Sequence, residues 1–392
     1  MTTRLIASMD TGIDDALALA YLLAHHRTQA ASGDPAEHGT CELLGVLATY
    51  GNVGAATAAR NTRYVLDLFD REDVPVLQSS EHPSWADTFI PDAGCAQFHG
   101  PDGLGGHLPR HMAGENAPEA DAPVDLSDGE RTVSVGGYRP DDPHANPAEG
   151  AMPPGGVSTK RSDAPQRSKA TTFLIDQVRR YGHELTVLAT GPLTDIDAAL
   201  RIAPDIASKL TLVMMGGSLT QPGNCWDGVA ETNIIQDPEA ADRVFHSGAD
   251  ITMVGLDVTH QCLLGSACTR QWRDHAANGR TRPQQALRLR FLADIADFSI
   301  AANKQADPRL FADGMPLHDP LAAAVALDPT LVGTLDIALQ AQTATGDFTG
   351  VRGRTTGDPE GLIDPHATRV HVALQVDAPR FVNDFTQTIR ML

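Results

Sequence analysis

The chain repeats one local design: a short apolar run, a polar turn, then an amphipathic stretch. Leu5 to Met9 leads into Asp10-Thr11-Gly12 and a helical pattern from Asp14 through Leu23. Cys41 to Thr49 leads into Tyr50-Gly51-Asn52 and a helix ending at Leu68, and Val74-Pro75-Val76-Leu77 is a third strand candidate. Phe173 to Tyr181 reads as a helix, Leu185 to Ala189 as a strand, and Thr190-Gly191-Pro192 as the turn into another helix. Leu210 to Met215 is a strand ending at Gly216-Gly217, Asp237 to Phe245 is helical, and Ile251 to Leu256 is a strand. Strands separated by helices cannot pair as hairpins; the crossovers force them parallel.

The expected fold is therefore α/β and Rossmann-like, a mostly parallel central sheet flanked by helices. Ligands of such sheets bind beyond the carboxyl ends of the strands, which is where the polar turns fall. Towards the C-terminus come a long helix from Pro283 to Lys304, a helix starting near Asp319, strands at Leu335 to Gln342 and Arg369 to Val376, and a closing helix from Pro379 to Met391.

With 392 residues the chain is long for one core and short for two, since single cores stop growing near about 250–300 residues. Residues from about Ala113 to Ser168 account for the excess. They are rich in Pro, Gly, Asp, Glu and Ala, with few large apolar side chains, and cannot bury enough surface to offset their ordering entropy. One domain over residues 1–392 is expected, carrying 113–168 as a long, low-complexity and partly disordered loop insertion.

The net charge of −20, from 50 acidic against 30 basic residues, repels nucleic acid polymers and anionic membranes, so neither is expected as a partner. No run approaches the roughly 18–20 apolar residues of a membrane span. The N-terminus has no secretory layout. The 5 cysteines are odd in number and lack metal-type spacing. They read as reduced thiols, which places the chain in the cytoplasm.

Met9-Asp10-Thr11-Gly12-Ile13-Asp14-Asp15-Ala16 sets three carboxylates at the end of a strand and the start of a helix. Helix capping and the macrodipole account for one of them. Three such close charges repel unless a cation or a shared proton lies between them. An all-oxygen donor set points to calcium or magnesium. The loop is too short for an EF-hand and lacks its closing Glu.

Met315-Pro316-Leu317-His318-Asp319-Pro320-Leu321-Ala322 begins another helix. Asp319 before Pro320 is ordinary there, and His318 alone would pass for a surface histidine. Two further segments add to the pattern. Gly223-Asn224 is followed by Ala230-Glu231-Thr232-Asn233 and Asp237-Pro238-Glu239-Ala240. Glu231 and Asn233 are two apart, so extended backbone would turn both to one face, suited to sugar hydroxyls. Ala189-Thr190-Gly191-Pro192-Leu193-Thr194-Asp195 is a tight turn whose carbonyls are available to a metal.

Together these segments resemble the inosine–uridine-preferring nucleoside hydrolase family. Its pattern is an N-terminal DxDxGxDD cluster, an ATGPLTNI-like turn, a GN…AExN…DPEAA stretch and a late HDP. All occur here in order, with comparable spacing once the insertion is set aside. The likeness extends to Thr49-Tyr50-Gly51-Asn52, to His99-Gly100-Pro101-Asp102-Gly103-Leu104-Gly105 and to Arg354-Thr355-Thr356-Gly357-Asp358. It covers nearly the whole chain apart from 113–168.

The resemblance implies calcium-dependent cleavage of the N-glycosidic bond of a ribonucleoside to free base and ribose, by a homodimer or homotetramer. Asp10, Asp15, Asp319 and the Thr190 carbonyl would hold calcium and a water, and Asp10 would take that water's proton. Asp14, Asn224, Glu231 and Asn233 would bind ribose hydroxyls, with Asp319 also close to the sugar. Asn52 would orient the water, and His318 would protonate the departing base. His99 could simply cap a loop.

The chain departs from this pattern at three places. Ser8 stands for the first Asp of DxDxGxDD, Thr11 for the usual Pro, and Asp195 for the asparagine of LTNI. Two rival readings exist. A phosphatase of the haloacid dehalogenase type also carries DxD after its first strand, but Ser8 removes the attacking Asp. A non-catalytic nucleoside- or calcium-binding protein is the other.

Overall fold

The computed structural model describes residues 2–25, 40–109, 167–225, 228–345 and 351–392. The chain divides into two compact units, Met1–His107 with Gln166–Leu392, and Leu108–Pro165. The second unit lies outside the described residues except for Leu108 and Pro109, and so does nearly all of the insertion expected at 113–168. Ser168, assigned to that insertion, belongs instead to a helix: its side chain accepts from Thr171 N and caps Lys169–Tyr181. A serine beside a Pro- and Ser-rich stretch reads as loop until its capping bond is seen.

The first unit is built on a nine-stranded sheet. Its strands are β1 (Thr2–Met9), β2 (Thr40–Ala48), β3 (Val76–Gln78), β4 (Leu185–Ala189), β5 (Thr211–Met215), β6 (Asp250–Val254), β9 (Val332–Ala341), β10 (Thr355–Asp358) and β11 (Val370–Val376). A separate antiparallel ribbon pairs β7 (Leu263–Leu264) with β8 (Met315–Pro316). The sheet order is β10-β9-β11-β6-β5-β4-β1-β2-β3. Every pairing from β3 to β11 is parallel, and only β9 runs against its neighbours β11 and β10. The expected mostly parallel sheet is therefore present.

Strand order reverses between β1 and β4, and such a switch point opens a crevice at the carboxyl ends. Register aligns those ends: Met9 pairs with Ala48, and Ser8 with both Leu47 and Ala189. The turns that begin at Asp10, Thr49 and Thr190 consequently lie side by side. Thr49 N donates to Met9 O at 2.9 Å and Thr190 N to Ser8 O at 2.9 Å.

Helix Ile13–His25 is buried along all of Ile13 to Leu23; its apolar run from Ala16 to Leu23 requires this, and the same burial takes in Asp14 and Asp15. It packs along helix His318–Leu327. That helix follows the β7–β8 ribbon, so the His318-Asp319 pair is delivered by the ribbon and not by a strand of the central sheet. The ribbon and helix Ser266–Ala277 had no clear sequence signal. That helix buries only Thr269, Trp272 and Ala276, too sparse an apolar stripe to show as a period. No described helix is long and apolar enough to cross a membrane.

Candidate active site

Asp14 and Asp15 occupy the first turn of one buried helix, and Asp319 the first turn of the helix packed against it. Two helix N-termini thus aim positive dipole ends at the same carboxylates. One oxygen from each of Asp14, Asp15 and Asp319 lies within 4.8 Å of the others. Asp10, fully buried after β1, stands beside them. Asn52 meets both of its oxygens, donating from its main-chain N to Oδ2 at 2.6 Å and from Nδ2 to Oδ1 at 3.1 Å. The approach requires Gly51, because a Cβ there would lie 1.8 Å from Asp10 Oδ2. Asp15 accepts from Gly12 N at 2.9 Å and from Thr190 Oγ1 at 2.6 Å.

Burial followed by mutual repulsion sets the protonation of this group. Asp10 is raised well above the usual carboxylate range, by burial and then by the charge of Asp15. Asp319 is raised by burial and then by Asp14, Asp15 and Asp10. Burial lifts Asp14 to about 6 and, with the charge of Asp14, lifts Asp15 to about 6. Asp14 Oδ1 is buried with no hydrogen-bond partner among the described residues. An orphan oxygen among crowded carboxylates fits a hard cation with oxygen ligands. The sequence expectation put Asp10 among the ligands and Asp14 on ribose; here Asp14 is grouped with Asp15 and Asp319, and Asp10 is held against them by Asn52.

Three imidazoles share the site. His318 Nδ1 is 2.7 Å from Thr259 Oγ1. Its ring lies 5.6 Å from that of His260, which meets Phe311 edge-on at 5.5 Å. Burial and the neighbouring His260 and His99 hold His318 well below the ordinary histidine range. His99 Nδ1 accepts from Ile13 N at 3.0 Å and lies 3.7 Å from Asp14 Oδ1. Burial lowers it to about 4. His99 is thus a site residue and not merely a loop cap.

The sequence reading missed Thr259 and His260. Their signal was position: Asp257-Val258-Thr259-His260 lies just beyond the Val254 end of β6, after Gly255-Leu256. Asp257 holds the loop after β5, accepting from Leu219 N at 2.8 Å and Thr220 N at 2.7 Å.

The expected extended placement of Glu231 and Asn233 is corrected. Glu231 is the N-cap of helix Thr232–Gln236, and Asn233 lies within that helix. Glu231 accepts from Asn233 N at 2.9 Å, Ile234 N at 3.1 Å and Gly217 N at 2.9 Å, so the cap bonds outweigh the alternating pattern. Asn233 Nδ2 donates to Thr190 O at 2.9 Å and Met215 O at 3.2 Å, which brings it to the β4 turn. Asn224 is exposed, and its Oδ1 accepts from Thr232 N at 2.9 Å and Thr232 Oγ1 at 3.0 Å. Among the described residues it makes no hydrogen bond to the carboxylate cluster.

The model of the inosine–uridine preferring nucleoside hydrolase family matches residues 5–383. The chain is 28% identical over 382 residues to a probable uridine nucleosidase of Arabidopsis thaliana, covering 97% of this chain and 95% of that protein. It is 28% identical to a pyrimidine-specific ribonucleoside hydrolase of Klebsiella pneumoniae, with 99% of each chain covered. A solved purine-preferring ribonucleoside hydrolase from Gardnerella vaginalis superposes with a TM-score of 0.72 at 36% identity, over 99% of this chain and 98% of that one.

A switch-point site where buried carboxylates and imidazoles gather, together with these matches, makes the protein an N-glycosyl hydrolase. The chain belongs to the inosine–uridine preferring nucleoside hydrolase family and splits nucleosides into base and ribose. The phosphatase and non-catalytic readings fall with that membership.

Proposed function

We propose that this chain hydrolyses ribonucleosides in a calcium-dependent reaction, with Asp10 as the base towards the attacking water and His318 as the acid towards the departing nucleobase. The bound substrate has to raise His318 from the depressed range in which burial holds it. The carrying observation is that four buried carboxylates, one with an oxygen unpartnered among the described residues, stand within one strand-end site, with His318 next to Asp319 in the chain.

When bound, a calcium ion supplies Lewis-acid activation of water and an anchor for ribose hydroxyls. Asp10, Asp15, Asp319 and the Thr190 carbonyl would hold it, and Asp14, whose Oδ1 has no hydrogen-bond partner among the described residues, would take the ribose 2′-hydroxyl. The Asn52 bonds to both oxygens of Asp10 restrain the side chain. Asn224 is exposed and would meet a ribose hydroxyl through its Nδ2, while Glu231 would do so with carboxylate lone pairs beyond those its cap engages. Asn233 supports the Thr190 carbonyl from the same side. Carboxylates beneath the sugar stabilise the positive charge of its oxocarbenium-like transition state. His260 and Phe311 give the base end of the site an aromatic wall beside His318.

We further read the chain as one domain carrying 113–168, apart from the capping Ser168, as an insertion, as a homodimer or homotetramer, and as cytoplasmic, where reduced thiols are at home. The test is a panel of ribonucleosides assayed for free base, with chelator, with calcium restored, and with Asp10→Ala. Chelation and Asp10→Ala should each silence a folded enzyme, and calcium should rescue only the first. Undiminished turnover in chelator would remove the cation from the reaction.

A further inference from the structure

Behind the cation site lies a buried carboxylate that the mechanism does not use. Asp195, in the first turn of helix Thr194–Ile202, is 1% exposed, as is Ser8 near the end of β1. Ser8 Oγ donates to Asp195 Oδ2 at 3.2 Å, and Ser80 N donates to Asp195 Oδ1 at 2.9 Å. A buried carboxylate is costly unless compensated; here two neutral donors and the positive end of helix Thr194–Ile202 do so. An amide at 195 could accept one of those bonds without the charge.

The connections around Asp195 suggest what the charge does. The Ser8 carbonyl accepts from Thr190 N at 2.9 Å, and Thr190 Oγ1 reaches Asp15 at 2.6 Å. The Ser80 carbonyl accepts from Tyr50 N at 3.2 Å, next to the Gly51-Asn52 turn that grips Asp10. One carboxylate, on the helix that follows the β4 turn, therefore bonds the end of β1 and the loop after β3, and through Ser80 it reaches the turn after β2 that bears on the carboxylate cluster. Ser8 and Asp195 are also two of the three positions at which the sequence departs from the family pattern, and the two departures touch. Where the pattern has an acid at 8 and an amide at 195, this chain has a hydroxyl at 8 and an acid at 195.

We infer that Ser8 and Asp195 are a compensating pair, in which Asp195 is a positioning residue that supplies, from the neighbouring helix, the buried carboxylate that residue 8 lacks. The inference rests on the calcium reading above. Calcium titration calorimetry and cation-free thermal melting of the wild type, Asp195→Asn, Ser8→Asp and the double variant test it. Asp195→Asn should weaken calcium binding by about 10–100-fold, the usual scale for a residue that supports a metal ligand indirectly. Ser8→Asp should lower the melting temperature by opposing two buried carboxylates, and adding Asp195→Asn should restore both melting and calcium affinity. Wild-type calcium affinity in Asp195→Asn, or a double variant no better than Ser8→Asp, would overturn the pair. A wild-type protein that binds no calcium would overturn the preceding reading instead, and the cation-free rescue would then decide the pairing alone.

Discussion

Asn233 Nδ2 sits 2.9 Å from the main-chain oxygen of Thr190, the carbonyl assigned to the cation. An amide donor there fixes the direction of the oxygen while leaving its second lone pair open. The same nitrogen reaches Met215 O at 3.2 Å, so one side chain locks the end of β5 to the turn after β4.

This arrangement separates two substitutions. Asn233→Ala removes hydrogen bonds worth roughly 0.5–1.5 kcal/mol each and frees a buried carbonyl, so a lower melting temperature and moderately reduced turnover are expected. Asn233→Asp replaces the donor with an oxygen facing two carbonyls and adds charge beside buried carboxylates. It should cost more activity than Asn233→Ala, by about tenfold or more for each 1.36 kcal/mol of added repulsion. Steady-state kinetics alongside thermal melting would check the order; a milder Asp variant would contradict the donor role.

A second expectation concerns Gly51, where an added Cβ would meet Asp10 Oδ2 at 1.8 Å. Gly51→Ala must push the Asp10 side chain away from Asn52. If Asp10 is the base, nucleoside cleavage should fall by at least about 10²-fold, while circular dichroism remains that of a folded protein. Wild-type kcat/KM in Gly51→Ala would show that the Asp10 position is not critical.

Much of the frame was legible in the sequence because the strands that build the switch point are short, apolar and punctuated. Leu185–Ala189 matches its strand end to end, and the turns at Asp10, Asn52 and Thr190 fall at strand ends as read. What stayed hidden depends on contacts distant in the chain. Glu231 looked like a sugar ligand in extended backbone, but its bond from Gly217 N crosses from the end of β5 and completes a helix cap. His99 looked like a loop cap because nothing local shows that Ile13 N will donate to it. The Ser8 and Asp195 departures appeared as separate oddities, since only folding brings residues 187 apart in sequence together. Thr259 carries no motif by itself and acquires a part only through His318.

That last contact shapes the test of the acid. His318 Nδ1 lies 2.7 Å from Thr259 Oγ1, which fixes the ring and leaves Nε2 as the nitrogen available to a departing base. If His318 supplies a proton, His318→Ala should slow inosine or uridine cleavage by about 10²–10⁴-fold, or roughly 2.7–5.4 kcal/mol of barrier. A nitrophenyl riboside, whose leaving group needs little protonation, should lose far less. Thr259→Val keeps the imidazole but releases its anchor, so it should show the same substrate contrast on a smaller scale. Both comparisons are internal to one variant: misfolding or loss of the cation would slow the two substrates alike. Equal losses on nucleoside and nitrophenyl riboside in His318→Ala would remove the ring from the acid role and leave it a positioning residue beside Asp319.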